Sequence, residues 1–306
     1  MIKKKMKIII FFVAAFLGLF LMGCVQPPPR ADDTGATPEG IASVVDANNK
    51  FALDMYSNIN DKEDGNIFFS PYSISTAFAV LYEGAEGQTA EEIQSVFHFP
   101  EDDDVRRSSF AAVYNDLNFG IGSSDYELST ANALWVQKDY PLLDSYTTTV
   151  EKYYCAKANN VDFKRDTEGA RQTINNWVEQ KTNNKIKNLF APGTLDSFNR
   201  LVITNAVYFK GTWAKQFDKD ETQDEEFRIT PTNKIMVPMM RLTVAKFNYT
   251  ENEELQVLEM PYKGNKLSML ILLPKDDNLT IVEQSLTPEN ISYWKNNLSY
   301  ERVNVY

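Results

Sequence analysis

The stretch Leu201 to Phe209, LVITNAVYF, constrains this chain more than any other. In an extended backbone Leu201, Ile203, Val207 and Phe209 point one way, and Val202, Ala206 and Tyr208 point the other. Both faces are apolar, which predicts a central strand covered on both sides. Asn205 lies in the middle of it, and an amide inside such a strand needs a hydrogen-bond partner.

Other segments share the period of two. ELSTANALWVQ alternates from Glu127 to Gln137. ELQVLEMPY and KLSMLILLP are separated by Lys263, Gly264 and Asn265, a hairpin signal. The last residues, ERVNVY, place Val303 and Val305 on one side and Arg302, Asn304 and Tyr306 on the other, the mark of a half-buried strand. Helical spacing dominates earlier in the chain. Ile41, Val44, Val45, Phe51, Ala52, Met55 and Tyr56 form a stripe. In SPYSISTAFAVLYEGA, Ser70 is a predicted N-cap, Pro71 suits the first helical position and Gly84 is a predicted stop. Thr89 and Glu92 fit a capping box for the next helix. DTEGARQTINNWVEQKTNNKI puts Ala170, Ile174, Trp177 and Val178 on one face, and TPENISYWKNNL reads as a short helix. Helices come first and strands dominate later, so the class is α+β rather than alternating β-α-β.

The N-terminus reads as a sorting signal. Lys3, Lys4, Lys5 and Lys7 precede an uncharged apolar run from Ile8 to Met22, and Leu21 to Cys24 spells LMGC. That tetrad resembles the lipobox of bacterial and archaeal lipoproteins, in which the cysteine becomes the first residue and carries lipid. An uncleaved membrane anchor is the other reading, since Ile8 to Val25 is just long enough to span. Either way the remainder lies outside the cytoplasmic membrane. Residues 1–23 are thus predicted to be a signal peptide, 24–40 a tether rich in proline, and 41–306 a folded domain. Loss of the four lysines takes the net charge from −11 to −15, which repels nucleic acid and anionic headgroups. With Cys24 lipidated, Cys155 has no partner, so disulfides do not hold the fold.

Few residues suggest chemistry. His98, in VFHFP, is the only histidine, and no G-x-S-x-G sequence occurs. Cys155, in EKYYCAK, has the helical spacing of a packed residue. One histidine and one free cysteine do not make a zinc site. Glu101 to Asp104, EDDD, lacks the alternating oxygen ligands and the glycine of a calcium loop. Asn248, Asn278, Asn290 and Asn297 match N-x-S/T, which an asparagine-rich chain produces by chance. No cofactor is expected.

Several long motifs, in order, resemble the serpin family. NIFFSPYSISTAFAVLYEGAEGQTAEEI resembles its second and third helices, and INNWVEQKTNNKIKNLF its sixth helix. RLVITNAVYFKGTWAKQF resembles the central strand of its large sheet, and VPMM and LEMPYKGNKLSMLILLP resemble the next sheets. The resemblance runs from about Ile41 to Tyr306. It implies suicide inhibition of serine, and sometimes cysteine, proteases. A reactive loop is cleaved and then inserts as a new strand in the large sheet, dragging the acylated protease with it. It also implies a shutter at Ser70, Ser73 and Asn205, with the family's partner histidine expected beyond Tyr306. A breach, where insertion begins, is implied at Lys210, Gly211 and Trp213. Read from the residues alone, Ser70 is a helix cap, Ser73 a first-turn residue, and Lys210 to Trp213 a strand end with a packed indole.

In the family a strand like ERVNVY leads on to the hinge and the reactive loop, and no hinge-like run of Gly, Thr, Glu and Ala occurs in these 306 residues. The resemblance therefore implies a serpin domain that stops before its reactive bond. Two functions follow as expectations: a lipid-anchored surface inhibitor of a serine endopeptidase, or a binding module or fragment that never traps one. An enzyme built on His98 is a third reading.

Overall fold

The computed structural model describes residues 29–62, 65–119, 126–230, 232–275 and 279–306. The predicted signal peptide, Cys24 and Asn278 lie outside them. Helices α1 (Pro38–Asn60), α2 (Pro71–Tyr82), α3 (Gly87–Phe97) and α4 (Asp103–Phe119) come first. Strand β1 (Tyr126–Gln137), α5 (Asp144–Tyr154), β2 (Lys157–Val161), α6 (Thr167–Lys181) and β3 (Leu201–Gly211) follow. The later part holds β4 (Gln223–Thr230), β5 (Asn233–Met239), β6 (Leu242–Glu251), β7 (Leu255–Pro261) and β8 (Ser268–Pro274). It ends with α7 (Leu279–Gln284), α8 (Pro288–Asn296) and β9 (Ser299–Val305).

The helix ends follow local chemistry. Ser70 caps α2, accepting from the Ser73 N–H at 3.3 Å, and Pro71 opens the helix. Thr37 caps α1 and Thr287 caps α8 in the same way. The predicted capping box at Thr89 and Glu92 is not formed. Gly87, at φ +56°, turns the chain into α3 two residues earlier, and Glu86 stands at the N-cap without a side-chain bond. Gly84 does follow the end of α2. Its missing Cβ leaves room for the Tyr146 ring, which a side chain there would meet at 3.0 Å.

Three sheets form among the described residues, in the orders β2-β1-β3, β4-β5 and β8-β7-β6-β9. β1 runs parallel to β2 and antiparallel to β3. Its alternate residues enter two cores. Leu134 and Val136 join Val44, Phe51, Val80, Phe110 and Val150 beneath α1, α2, α4 and α5. Ala133 and Trp135 join Val161, Phe163 and Ile174 beneath α6. β3 is likewise covered on both faces, by α2 on one and α6 on the other, with Leu201 and Ile203 against the first core and Val202 against the second. β3, expected to be central, lies at the edge of the sheet formed by the described residues and is half-buried along most of its length. Side-chain alternation reports which faces are covered; it carries no information about which backbone edges are paired.

In the last sheet, β7 and β8 form the predicted hairpin and pack Leu255 and Val257 against Val282 of α7 and Trp294 of α8. β9 pairs antiparallel with β6, and Val303 and Val305 turn inward while Arg302 and Asn304 face out. Among the described residues, no helix is long and apolar enough to cross a membrane.

Candidate functional site

The site lies where α2 meets the β1–β3 pair. The Ser73 hydroxyl, in the first turn of α2, donates to Asn205 Oδ1 on β3. Asn205 Nδ2 donates to Asn132 Oδ1 on β1 at 2.6 Å. Asn132 Nδ2 donates to the Tyr154 carbonyl at the end of α5 at 2.8 Å. The chain of bonds runs in one direction, each amide accepting once and donating once. Asn132 is buried, so losing its partner would cost about 1–3 kcal/mol. Ser70 contributes only through the cap that fixes Ser73.

Asn205 therefore has its partner within this chain. The other half, Asn132, was not foreseen. The signal for it is register: Asn132 stands directly opposite Asn205 in the β1–β3 ladder. A polar residue inside ELSTANALWVQ carries that information once the pairing is known.

Above this polar chain, β3 pairs with β1 on one side and with no described strand on the other. An unpaired edge offers a row of N–H and C=O groups to an incoming strand. The end of β3 is tied down differently. Lys210 approaches Glu127 at 3.9 Å with both side chains exposed, a contact of little energetic weight. Gly211 has no room for a Cβ, which would meet the Tyr262 ring at 2.6 Å. Trp213 stacks on Tyr262 with centroids 4.4 Å apart and planes 10° apart, and the two residues bridge β3 to the β7–β8 hairpin. Gly211 and Trp213 thus join the end of β3 to the second sheet through Tyr262, while Lys210 stays within the first.

His98 has a structural place. It ends α3 in the left-handed region, at φ +54°, and its Nε2 lies 2.7 Å from Asp54 Oδ2 of α1. Neither Ser, Thr nor Cys joins that pair in a hydrogen bond. Cys155 also occupies a left-handed helix end, after α5, and is buried. Burial pushes its thiol up to about 11, so it is not a thiolate at neutral pH. In EDDD, Asp102 accepts from the Val105 N–H at 3.0 Å at the start of α4, and Asp103 pairs with Arg106 and Arg107. Among the described residues, no group of His, Cys, Asp and Glu is placed to hold a metal ion.

Sequence reasoning also passed over Glu83. Its fully buried carboxylate accepts from Arg106 at 3.0 Å, from Arg107 at 2.7 Å and from the Tyr154 hydroxyl at 2.8 Å. This cluster fixes α2, α4 and α5 to one another and so holds the Tyr154 end of the polar chain. YEGA gave no hint of it, because the partners lie more than twenty residues away.

Comparison with known proteins agrees with this geometry. Residues 46–306 match the family model described as Serpin (serine protease inhibitor). An uncharacterized serpin-like protein of Methanosarcina mazei is 40% identical, over 98% of this chain and 72% of that protein. Leukocyte elastase inhibitor A of Rattus norvegicus is 37% identical, over 85% and 70%. The structure of ovalbumin from emu (Dromaius novaehollandiae) superposes with a TM-score of 0.82 at 30% identity, over 86% of this chain and 72% of that one. The chain belongs to the serpin family and has its fold.

Proposed function

We propose that this protein inhibits a serine endopeptidase, a cleaved reactive loop supplied by residues outside these 306 inserting as a new strand beside β3. Family membership supports protease inhibition in general. The observation that carries the specific reading is the unpaired β3 edge directly over the Ser73–Asn205–Asn132 chain. Trp213 and Gly211 fix the end at which the strand enters. In the proposed cycle the protease acylates itself on the loop, the loop inserts, and the acyl-enzyme is distorted before water can release it.

The protein is further proposed to be exported and held to the cell surface by lipid on Cys24. Its target is then a serine protease, or a cysteine protease, outside the cytoplasmic membrane. The test is to incubate the full-length gene product with a panel of secreted serine and cysteine proteases. A covalent complex stable in SDS is the expected result. Clean cleavage by every protease, with no stable complex, would contradict it and would make the protein a binding module on the serpin fold. Metabolic labelling with palmitate, lost on Cys24→Ser, tests the anchor separately.

A further inference from the structure

The described residues just before α1 are docked on the domain. Ala31 is buried against Ala111, Tyr114 and Cys155. Its N–H donates to Asn115 Oδ1 at 3.0 Å, and its carbonyl accepts from Asn115 Nδ2 at 2.9 Å. One side chain of α4 thus holds both backbone groups of Ala31, as a neighbouring strand would. The same Nδ2 donates to Asp33 Oδ2 at 2.9 Å. On the α5 side, the Asp32 N–H donates to the Lys152 carbonyl at 2.9 Å, and the Asp32 carboxylate lies 3.2 Å from Lys152 Nζ. The Cys155 thiol donates to the Pro29 carbonyl at 3.4 Å.

These contacts fall on either side of Tyr154. Lys152 and Cys155, the two positions that the strap grips, flank the residue whose carbonyl accepts from Asn132. Cys155 has a φ of +53°, a conformation unfavourable for a residue with a Cβ. Something must hold that turn in place, and the strap covers it. From the observed bonds we infer that residues 29–33 are a strap that controls the polar chain beneath β1 and β3. Docked, it fixes the last turn of α5 and with it the Tyr154 carbonyl, Asn132, Asn205 and Ser73. Released, it lets Cys155 relax, and the chain of amides loses its fixed end. A pull or a binding event on the N-terminal side would then be felt at the β3 edge. Its consequence for strand insertion rests on the function proposed above. The coupling itself stands on the hydrogen bonds and is tested without a protease.

The full chain carrying Cys24→Ser keeps Cys155 as its sole thiol. Two variants in that background loosen the strap: Ala31→Arg, which cannot fit its pocket, and the milder Asp32→Asn. The readouts are the rate of maleimide labelling at Cys155 and amide hydrogen exchange across β1 and, as a distant reference, β7. The expected result is labelling at least tenfold faster for Ala31→Arg, with a smaller rise for Asp32→Asn. Amides from Thr130 to Leu134 should exchange faster, while β7 is unchanged. Faster labelling with unchanged β1 exchange would overturn the coupling. Unchanged labelling in both variants would overturn the strap as the cover of Cys155. Faster exchange in β7 as well, in both variants, would mean that the segment is an integral part of the fold and not a control on one site. Should Ala31→Arg fail to fold, Asp32→Asn alone decides by the same criteria.

Discussion

β1 and β3 lie side by side in register from Tyr126↔Gly211 to Val136↔Leu201, yet they have opposite fates. From Ala133 onward β1 has a strand on each edge and a core on each face. Leu134 is fully buried, as nearly are Ala133, Trp135 and Val136. β3 has one strand partner among the described residues, and Phe209 near its end is 41% exposed. Both strands read as apolar and strand-like in sequence. Pairing on both edges holds a strand in place, whereas an edge left open among the described residues is accessible to another strand. The site sits on the boundary between the two, with one asparagine from each.

The comparison can be broken most severely from the β1 side, at Glu83. Its removal leaves the buried Arg106 guanidinium without its carboxylate, so Glu83→Ala should cost about 3–5 kcal/mol in chemical denaturation. A smaller loss, below about 1 kcal/mol, would mean that the cluster does not hold the helices over β1. Next comes a matched pair in register. Leu134→Ala empties a fully buried position and should cost about 2–5 kcal/mol. Ile203→Ala, directly opposite on β3, should cost less than half of the Leu134 value, because its side chain is only partly covered. Equal costs would erase the distinction between the strands. Asn205→Ala leaves Asn132 with an unmet acceptor and should cost about 1–3 kcal/mol. Asn132→Ala combined with Asn205→Ala should cost less than the sum of the singles, since the two share one bond.

The smallest effect concerns pH. The Thr34 hydroxyl and N–H, with Lys152, hold the Asp32 carboxyl down at about 2, below its ordinary 3.8. The unfolded chain therefore takes up this proton first as pH falls, and stability from Asp32 is complete above about pH 4 and lost by about pH 2. Thermal midpoints of the unaltered chain and Asp32→Asn should differ most above pH 4 and converge near pH 2. A gap that widens on acidification would contradict the assignment.

Much of this was legible before the structure. The α+β class, the cap at Ser70, the short helix in TPENISYWKNNL, the β7–β8 hairpin and the inward turn of Val303 and Val305 all follow from local rules, and local rules travel with the sequence. Ser73, Asn205 and Trp213 were marked by resemblance, and the structure brings Ser73 and Asn205 into contact while Trp213 packs at the strand's end. What escaped was long-range. Asn132 needs the β1–β3 register, Glu83 needs the packing of α4 and α5, and the docked strap needs Asn115, which is 84 residues from Ala31. The open edge of β3 among the described residues could not be read from the sequence, because hydrogen-bonding edges leave no trace in side-chain period.

The most direct test is amide exchange resolved residue by residue along both strands. In an antiparallel edge strand, successive residues direct their N–H groups alternately to the partner and away from it. Amides of β3 from Ile203 to Phe209 should therefore alternate between slow and fast exchange, while those of β1 from Ala133 to Val136, paired on both edges, stay slow throughout. Uniform protection along β3 would contradict an open edge, and with it the claim that this strand waits for another.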